Sequence, residues 1–137
     1  MSRTPLAALA AAGLALGTFA SPAVAAKAPT KSQARHIEKA VRAQTDNLNP
    51  KWFEVDRIKI SSLSRSWALA WQTATKRGEG KFQPAYFILV QPTGITKDWT
   101  VVSYGTALVG CGIAPDSVIK DLTGGDGCPP GEGIKGS

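Results

Sequence analysis

A chain of 137 residues with a formal net charge of +6 is long enough for one domain and too short for two of ordinary size. Its Lys and Arg residues are spread along the sequence, and only Lys76 and Arg77 are adjacent. Nucleic-acid binders cluster such residues on one stripe, so the distribution argues against a nucleic-acid partner. A mildly basic balance instead favours contact with anionic polymers or membranes.

The first 25 residues are arranged as a secretory signal peptide. Arg3 supplies a positive start, an uncharged run rich in Ala and Leu follows over residues 6–19, and residues 23–25 have an A-x-A arrangement. As a helix the apolar run would be about 21 Å long, short of a bilayer core of about 30 Å, so a membrane span is the weaker alternative. We expect cleavage after Ala25 or Ala26, an extracellular mature protein, and no transmembrane segment in it.

A helix is predicted next, after a ragged segment at residues 26–30. Thr30 and Gln33 have the spacing of a capping box. Apolar side chains then repeat at helical spacing over about 14 residues, at Ala34, Ile37, Ala40 and Val41. This stripe is narrow, so the helix needs a second layer to lie on.

Four stretches that follow have the character of β-strands. They are residues 52–60, 66–75, 85–90 and 99–104. The first changes its apolar parity, which predicts a β-bulge near Asp56 and Arg57. The second places Trp and Leu on one face and Ala on the other, which suits either a helix packed on its Ala face or a core on its Trp face. The third is apolar throughout and is expected to be a central strand buried on both faces.

Both cysteines, Cys111 and Cys128, lie after the last predicted strand. In an exported chain an even number of cysteines indicates disulfides, and two cysteines allow one pairing. A metal pair and a catalytic thiol are the competing interpretations. A structural zinc site needs four ligands, and the single histidine, His36, lies far upstream. The bridge would stabilise the domain by about 3 kcal/mol in the chain-entropy model.

The predicted fold is therefore α+β, with a secreted domain over residues 26–128. An N-terminal helix packs on a four-stranded antiparallel sheet, and a short C-terminal helix is closed by the disulfide. Pro115 can begin this short helix, with Val118 and Leu122 facing the core. The Gly- and Pro-rich residues 129–137 are expected to form a flexible tail.

Several stretches resemble a known group of proteins. They are Ser-Trp-Ala at 66–68, Trp-Thr-Val-Val-Ser-Tyr-Gly-Thr at 99–106, and Val-Gly-Cys at 109–111 followed by Cys128. Over most of residues 31–128 the chain resembles small secreted actinobacterial single-disulfide proteins of unassigned function, which implies export and the disulfide but no activity. The outline is also similar to cystatin-like folds, although residues 91–94 lack the inhibitory Gln-x-Val-x-Gly signature.

No catalytic constellation is evident, so no catalytic residue, cofactor or metal is predicted. Glu54 and Asp56 are the best carboxylate pair, since residues two apart share a strand face, but a solvated surface is the simpler interpretation. His36 is expected on the exposed side of the first helix. Residues 121–127 contain Asp and Gly as calcium-binding loops do, but their spacing does not match the EF-hand pattern. The tryptophans, which could form a sugar- or peptide-binding face, are expected mainly in the core; they are Trp52, Trp67, Trp71 and Trp99.

The candidate binding loop contains Lys76, Arg77 and Lys81, with Lys97 expected near it across the adjacent hairpin. Loops carry function more often than strands, and a charged solubilising turn is the alternative. We therefore predict a non-catalytic secreted binding module, for example an inhibitor of another extracellular protein. The alternative is a cell-envelope protein that adheres to anionic wall polymer or lipid through this loop.

Overall fold

The computed structural model describes residues 25–92, 97–125 and 127–133. Its helices and strands, in chain order, are α1 (Lys31–Gln44), β1 (Phe53–Ile60), β2 (Trp67–Ala74), β3 (Tyr86–Val90), β4 (Thr100–Gly105) and α2 (Asp116–Thr123). The strands form one antiparallel sheet in the order β1-β2-β3-β4. The α+β prediction is confirmed, including the short C-terminal helix and the Cys111–Cys128 disulfide. Nearly all of the predicted signal peptide, residues 1–24, lies outside the described part.

Helix α1 covers one face of the sheet. The predicted capping box is present: the Thr30 hydroxyl accepts from the Gln33 backbone N–H at 3.1 Å, and the Gln33 side chain accepts from the Thr30 N–H at 2.9 Å. The fully buried Ile37 and Val41 pack against the sheet. Their partners in this cluster include Ala68, Ala70, Phe87, Leu89 and Trp99. The small Ala side chains of β2 let the helix approach closely, as the sequence predicts.

The predicted bulge in β1 is confirmed. Asp56 pairs with Trp71 and Lys59 pairs with Leu69, so β1 has one residue more than β2 between these pairs. Arg57 occupies the left-handed region, with φ at 48°. The extra residue returns Ile58 to the α1 side of the sheet, which explains the parity change in the sequence.

The second face of the sheet is covered by the C-terminal segment. Leu69 of β2 and Ile88 of β3 pack against Val118, Ile119 and Leu122 of α2. Because both faces are covered, β3 is apolar throughout. The helix begins one residue later than predicted: Pro115 is its N-cap residue rather than its first helical residue. Residues 129–133, the start of the predicted flexible tail, contain a turn in which the Glu132 N–H donates to Pro129.

The segment before α1 is not ragged where the structure describes it. Lys27 and Ile60 exchange two backbone hydrogen bonds of 2.8 Å, which extends the sheet by one antiparallel bridge. Ala26 packs against the cluster on the α2 side. This contact has no signal in the sequence because one bridge has no periodicity.

Asp121 of α2 joins the helix to the turn between β1 and β2. Its carboxylate accepts hydrogen bonds from the Ser61 hydroxyl, the Ser62 hydroxyl and the Ser62 N–H, each at 2.8 Å. Burial alone would raise the pKa of Asp121, but the hydrogen bonds donated by Ser61 and Ser62 outweigh it, so the pKa is lowered. The carboxylate thus stabilises the fold in its ionised form.

Replacing Asp121 with Asn is expected to lower the free energy of unfolding by about 1.5–3 kcal/mol near neutral pH, because three bonds to a charged acceptor are weakened or lost. The pKa is lower in the folded chain than in the unfolded one, so this stabilisation is present above the unfolded value and disappears as the pH falls through the folded value. Urea unfolding between about pH 7 and about pH 2 measures both effects.

Asp46→Asn is the matched control for this substitution, because Asp46 is exposed just after α1. Its effect should stay within about 0.5 kcal/mol. If Asp121→Asn were as mild as this control, or equally destabilising at all pH values, the carboxylate would not be holding the turn.

Candidate functional site

A cleft of about 410 Å³ lies between the second face of the sheet and the C-terminal segment. The sheet contributes Arg57 and Lys59 from β1, Leu69 from β2 and Tyr86 from β3. The opposite wall consists of residues 106–109 with Cys111, and of Ile119, Thr123, Gly125 and Gly127. Its volume falls within the range of ordinary small-molecule sites, about 300–1,000 Å³.

The C-terminal wall is held in place by close packing at Gly110. This buried glycine has φ at 83°, and a Cβ atom there would lie 2.6 Å from Cδ1 of Ile119 and 3.0 Å from Cγ1 of Ile88. Its N–H donates to the hydroxyl of Ser103 at 2.9 Å. Only glycine combines this backbone conformation with this proximity, so the loop after β4 is fixed against the sheet.

The disulfide closes the same wall. Cys111 lines the cleft, and its bond to Cys128 joins the loop after β4 to the chain that follows α2. The Cys128 N–H also donates to Oδ1 of Asp116 at 2.7 Å, at the start of α2. The bridge that the sequence predicts therefore shapes one side of the cleft.

Two non-glycine residues of the described ranges have a left-handed backbone, and both line this cleft. Arg57 has φ at 48° and Leu108 has φ at 56°. Each costs on the order of 1–2 kcal/mol relative to an ordinary conformation. Leu108 is held in place because the Cys111 N–H donates to its carbonyl at 3.1 Å. Its side chain is nevertheless 54% exposed.

Tyr86, which lines the cleft, belongs to an aromatic pair on the sheet. The rings of Trp71 and Tyr86 are 3.8 Å apart at their centroids, and both side chains are half-buried. Trp99 is buried under α1, whereas Trp52 and Trp67 are half-buried. The expectation that the tryptophans lie mainly in the core thus holds fully for Trp99 and in part for the others.

The four predicted loop cations do not form one surface. Lys76, Arg77 and Lys81 are exposed in the β2–β3 connection, where a short 3-10 helix spans Lys76–Gly78. The pairings of β2 with β3 place this connection at one end of the sheet and the β3–β4 connection at the other. Lys97 belongs to the latter and borders a second, smaller pocket with His36. The expected proximity of Lys97 is therefore wrong, since consecutive turns of an antiparallel sheet lie at opposite ends.

The two residues of the predicted carboxylate pair, Glu54 and Asp56, have different surroundings. Glu54 is exposed, whereas Asp56 is half-buried and its Oδ2 accepts from the Thr73 hydroxyl at 3.3 Å. Oδ1 of Asp56 is buried without a hydrogen-bond partner among the described residues. Of the two carboxylates in the calcium-like stretch, Asp121 binds the β1–β2 turn, and Asp126 lies outside the described residues. No cluster of three metal-ligating side chains is present in the described ranges.

Sequence reasoning missed the cleft, because its walls come from segments far apart in the chain. The parity change near Arg57 is the one local signal of the cleft, since a bulge often redirects a side chain at a functional site.

Comparisons with protein-family models, curated proteins and solved structures find no match for this chain.

Proposed function

We propose that the mature chain is an exported, non-catalytic binding module whose ligand site is the cleft between the sheet and the C-terminal segment. The cleft itself carries the proposal: it is open, mainly apolar and formed by the part of the chain that the disulfide closes. Among its described lining residues, the groups that can ionise are Arg57, Lys59 and Tyr86. This set suits holding a ligand more than transferring protons between paired groups.

Export is supported by the leader-like order of residues 1–25 and by the disulfide, which is typical of oxidising compartments. Within the described ranges, no helix has the length and apolar character required to cross a bilayer. The resemblance to small secreted actinobacterial proteins agrees with this proposal. Cleavage after Ala25 would preserve the contacts that Ala26 and Lys27 make with the domain.

Native mass spectrometry tests the site. The oxidised secreted chain, incubated with a small-molecule extract of culture medium, is expected to retain a ligand that is released with unchanged mass on denaturation. Ala107→Trp should abolish retention, because Ala107 is exposed on the cleft wall and Trp would occupy the space. Ala43→Trp on the exposed side of α1 is the matched control.

Retention that is equal in all three proteins would place the ligand elsewhere, and a chemically altered ligand would contradict a non-catalytic role.

The second candidate function is adhesion to an anionic envelope polymer through Lys76, Arg77 and Lys81. It is favoured by the exposure of all three cations on a turn that is anchored at Gly78. In that case their replacement by Ala weakens wall binding at low salt, whereas Ala107→Trp does not.

A further inference from the structure

We propose that the cleft binds a small amphipathic anion, with a carboxylate held by Arg57 and Lys59 and a short aliphatic body against Leu69, Tyr86 and Leu108. This inference rests on the proposed binding function and adds the chemical class of the ligand. It is argued from the charge of the lining, the apolar surface beside it and the backbone strain at two of the lining residues.

The charge of the described lining is positive. Arg57 and Lys59 are exposed on the bulged strand β1, and neither forms an ion pair among the described residues. The described lining contains no carboxylate that would neutralise them. A planar guanidinium beside an ammonium suits a carboxylate, which can accept hydrogen bonds from both groups.

The rest of the cleft is apolar. Leu69 is 5% exposed and Ile119 is 3% exposed, so they form its floor, and Leu108 stands at the opposite wall. A volume of about 410 Å³ is near the small end of the range for ligand sites. The combination selects a small molecule with one charged end rather than a polymer with repeated charges.

Strain identifies the side chains that matter. Arg57 and Leu108 have the left-handed backbone that glycine adopts without cost, yet one presents a cation and the other an exposed apolar group to the same cleft. The bulge of β1 accounts for the left-handed backbone at Arg57 but not for the choice of arginine over glycine there, and burial does not explain the leucine at position 108. Strain that persists at two opposed walls of one cleft points to a use for these side chains in binding.

The probes are octanoate, octanol and octylammonium, which share one aliphatic chain and differ in the head group. Binding to the oxidised secreted chain is measured at about pH 7, where a carboxylic acid is ionised. Amide chemical shifts locate each probe, and tryptophan fluorescence, to which Trp71 beside Tyr86 contributes, provides a second signal. We expect octanoate to bind about tenfold more tightly than either other probe, with the largest shifts at Arg57, Tyr86 and Leu108.

Substitutions then distinguish the contribution of the charged head group to binding from that of the aliphatic chain. Arg57→Gly combined with Lys59→Gln should weaken octanoate about tenfold and remove its advantage over octanol, whereas Arg65→Ala in the exposed β1–β2 turn should change neither. Leu108→Gly should weaken octanoate and octanol alike. Because glycine relieves the left-handed strain, Arg57→Gly and Leu108→Gly should each leave the unfolding midpoint unchanged or raise it.

Equal binding of octanol and octanoate in the cleft would overturn the anion inference and leave the binding proposal standing. Shifts outside the cleft, or no binding by any of the three probes, would overturn the inference as well, while the retention experiment with the extract would still decide the proposed function. A lower unfolding midpoint in both glycine variants would show that the two residues support the fold instead of the ligand.

Discussion

Replacing Gly78 with Ala is expected to lower the free energy of unfolding by about 3 kcal/mol or more, enough to prevent folding at elevated temperature. A Cβ atom at this buried position would overlap the carbonyl oxygen of Trp52 and lie 2.6 Å from its carbonyl carbon. The same carbonyl accepts from the Thr75 N–H at 2.8 Å, and the Thr75 hydroxyl donates to the carbonyl of Lys51 at 2.6 Å. The overlap therefore involves backbone that hydrogen bonds hold in place.

The matched control is Gly80→Ala in the same connection. Gly80 has φ at 71° and no atom within 4 Å of the added Cβ, so the substitution costs only the left-handed backbone, about 1 kcal/mol. Thermal and urea unfolding of both variants measures the difference. Equal losses in the two variants would mean that the chain before β1 moves aside easily and does not anchor this turn.

The arrangement of the sheet could be predicted because each strand carries its own signal. The continuous apolar residues of β3 indicated burial on both faces, and Phe87 and Ile88 indeed face different layers. The parity change in β1 located the bulge near Arg57. These features are local, since side chains alternate in direction along a strand and one extra residue reverses the alternation.

The candidate site could not be predicted in the same way. It requires knowing that β1 and the loop after β4 lie across one cleft, although Arg57 and Leu108 are far apart in the sequence. Lys76 and Arg77 are adjacent in the sequence, so the sequence predicts a basic binding loop there. The prediction that Lys97 lies near them is wrong, because the order of the hairpins places it at the other end of the sheet. The sequence thus shows where charge is dense, whereas a cleft depends on which distant segments fold together.

Gly78 illustrates a second limit of prediction from the sequence. The sequence around it, Lys-Arg-Gly-Glu-Gly-Lys, has the composition of an exposed loop, and most of its residues are exposed. Gly78 is nevertheless buried because the turn closes on the backbone of Trp52. Two glycines of one loop can therefore have opposite roles, and only the packing around each of them distinguishes a flexible position from a rigid contact.

Replacing both cysteines, with Cys111→Ser and Cys128→Ser, is expected to lower the free energy of unfolding by about 3 kcal/mol, because the unfolded chain regains the freedom of a loop closed over 17 residues. The midpoint of thermal unfolding should fall by about 12–20 °C. A reducing agent should lower the wild-type midpoint to that of the variant and leave the variant itself unchanged.

Hydrogen exchange should locate the effect of this double substitution. The disulfide joins only the layer that contains α2, whereas α1 packs on the other face through Ile37 and Val41. Amides of residues 106–125 should therefore lose protection more than those of α1, since parts of a domain can open separately. Binding of octanoate in the cleft should weaken together with this layer, because Cys111 forms part of the cleft wall. Equal loss of protection in α1 would contradict this, and would mean that the two layers open only as one unit.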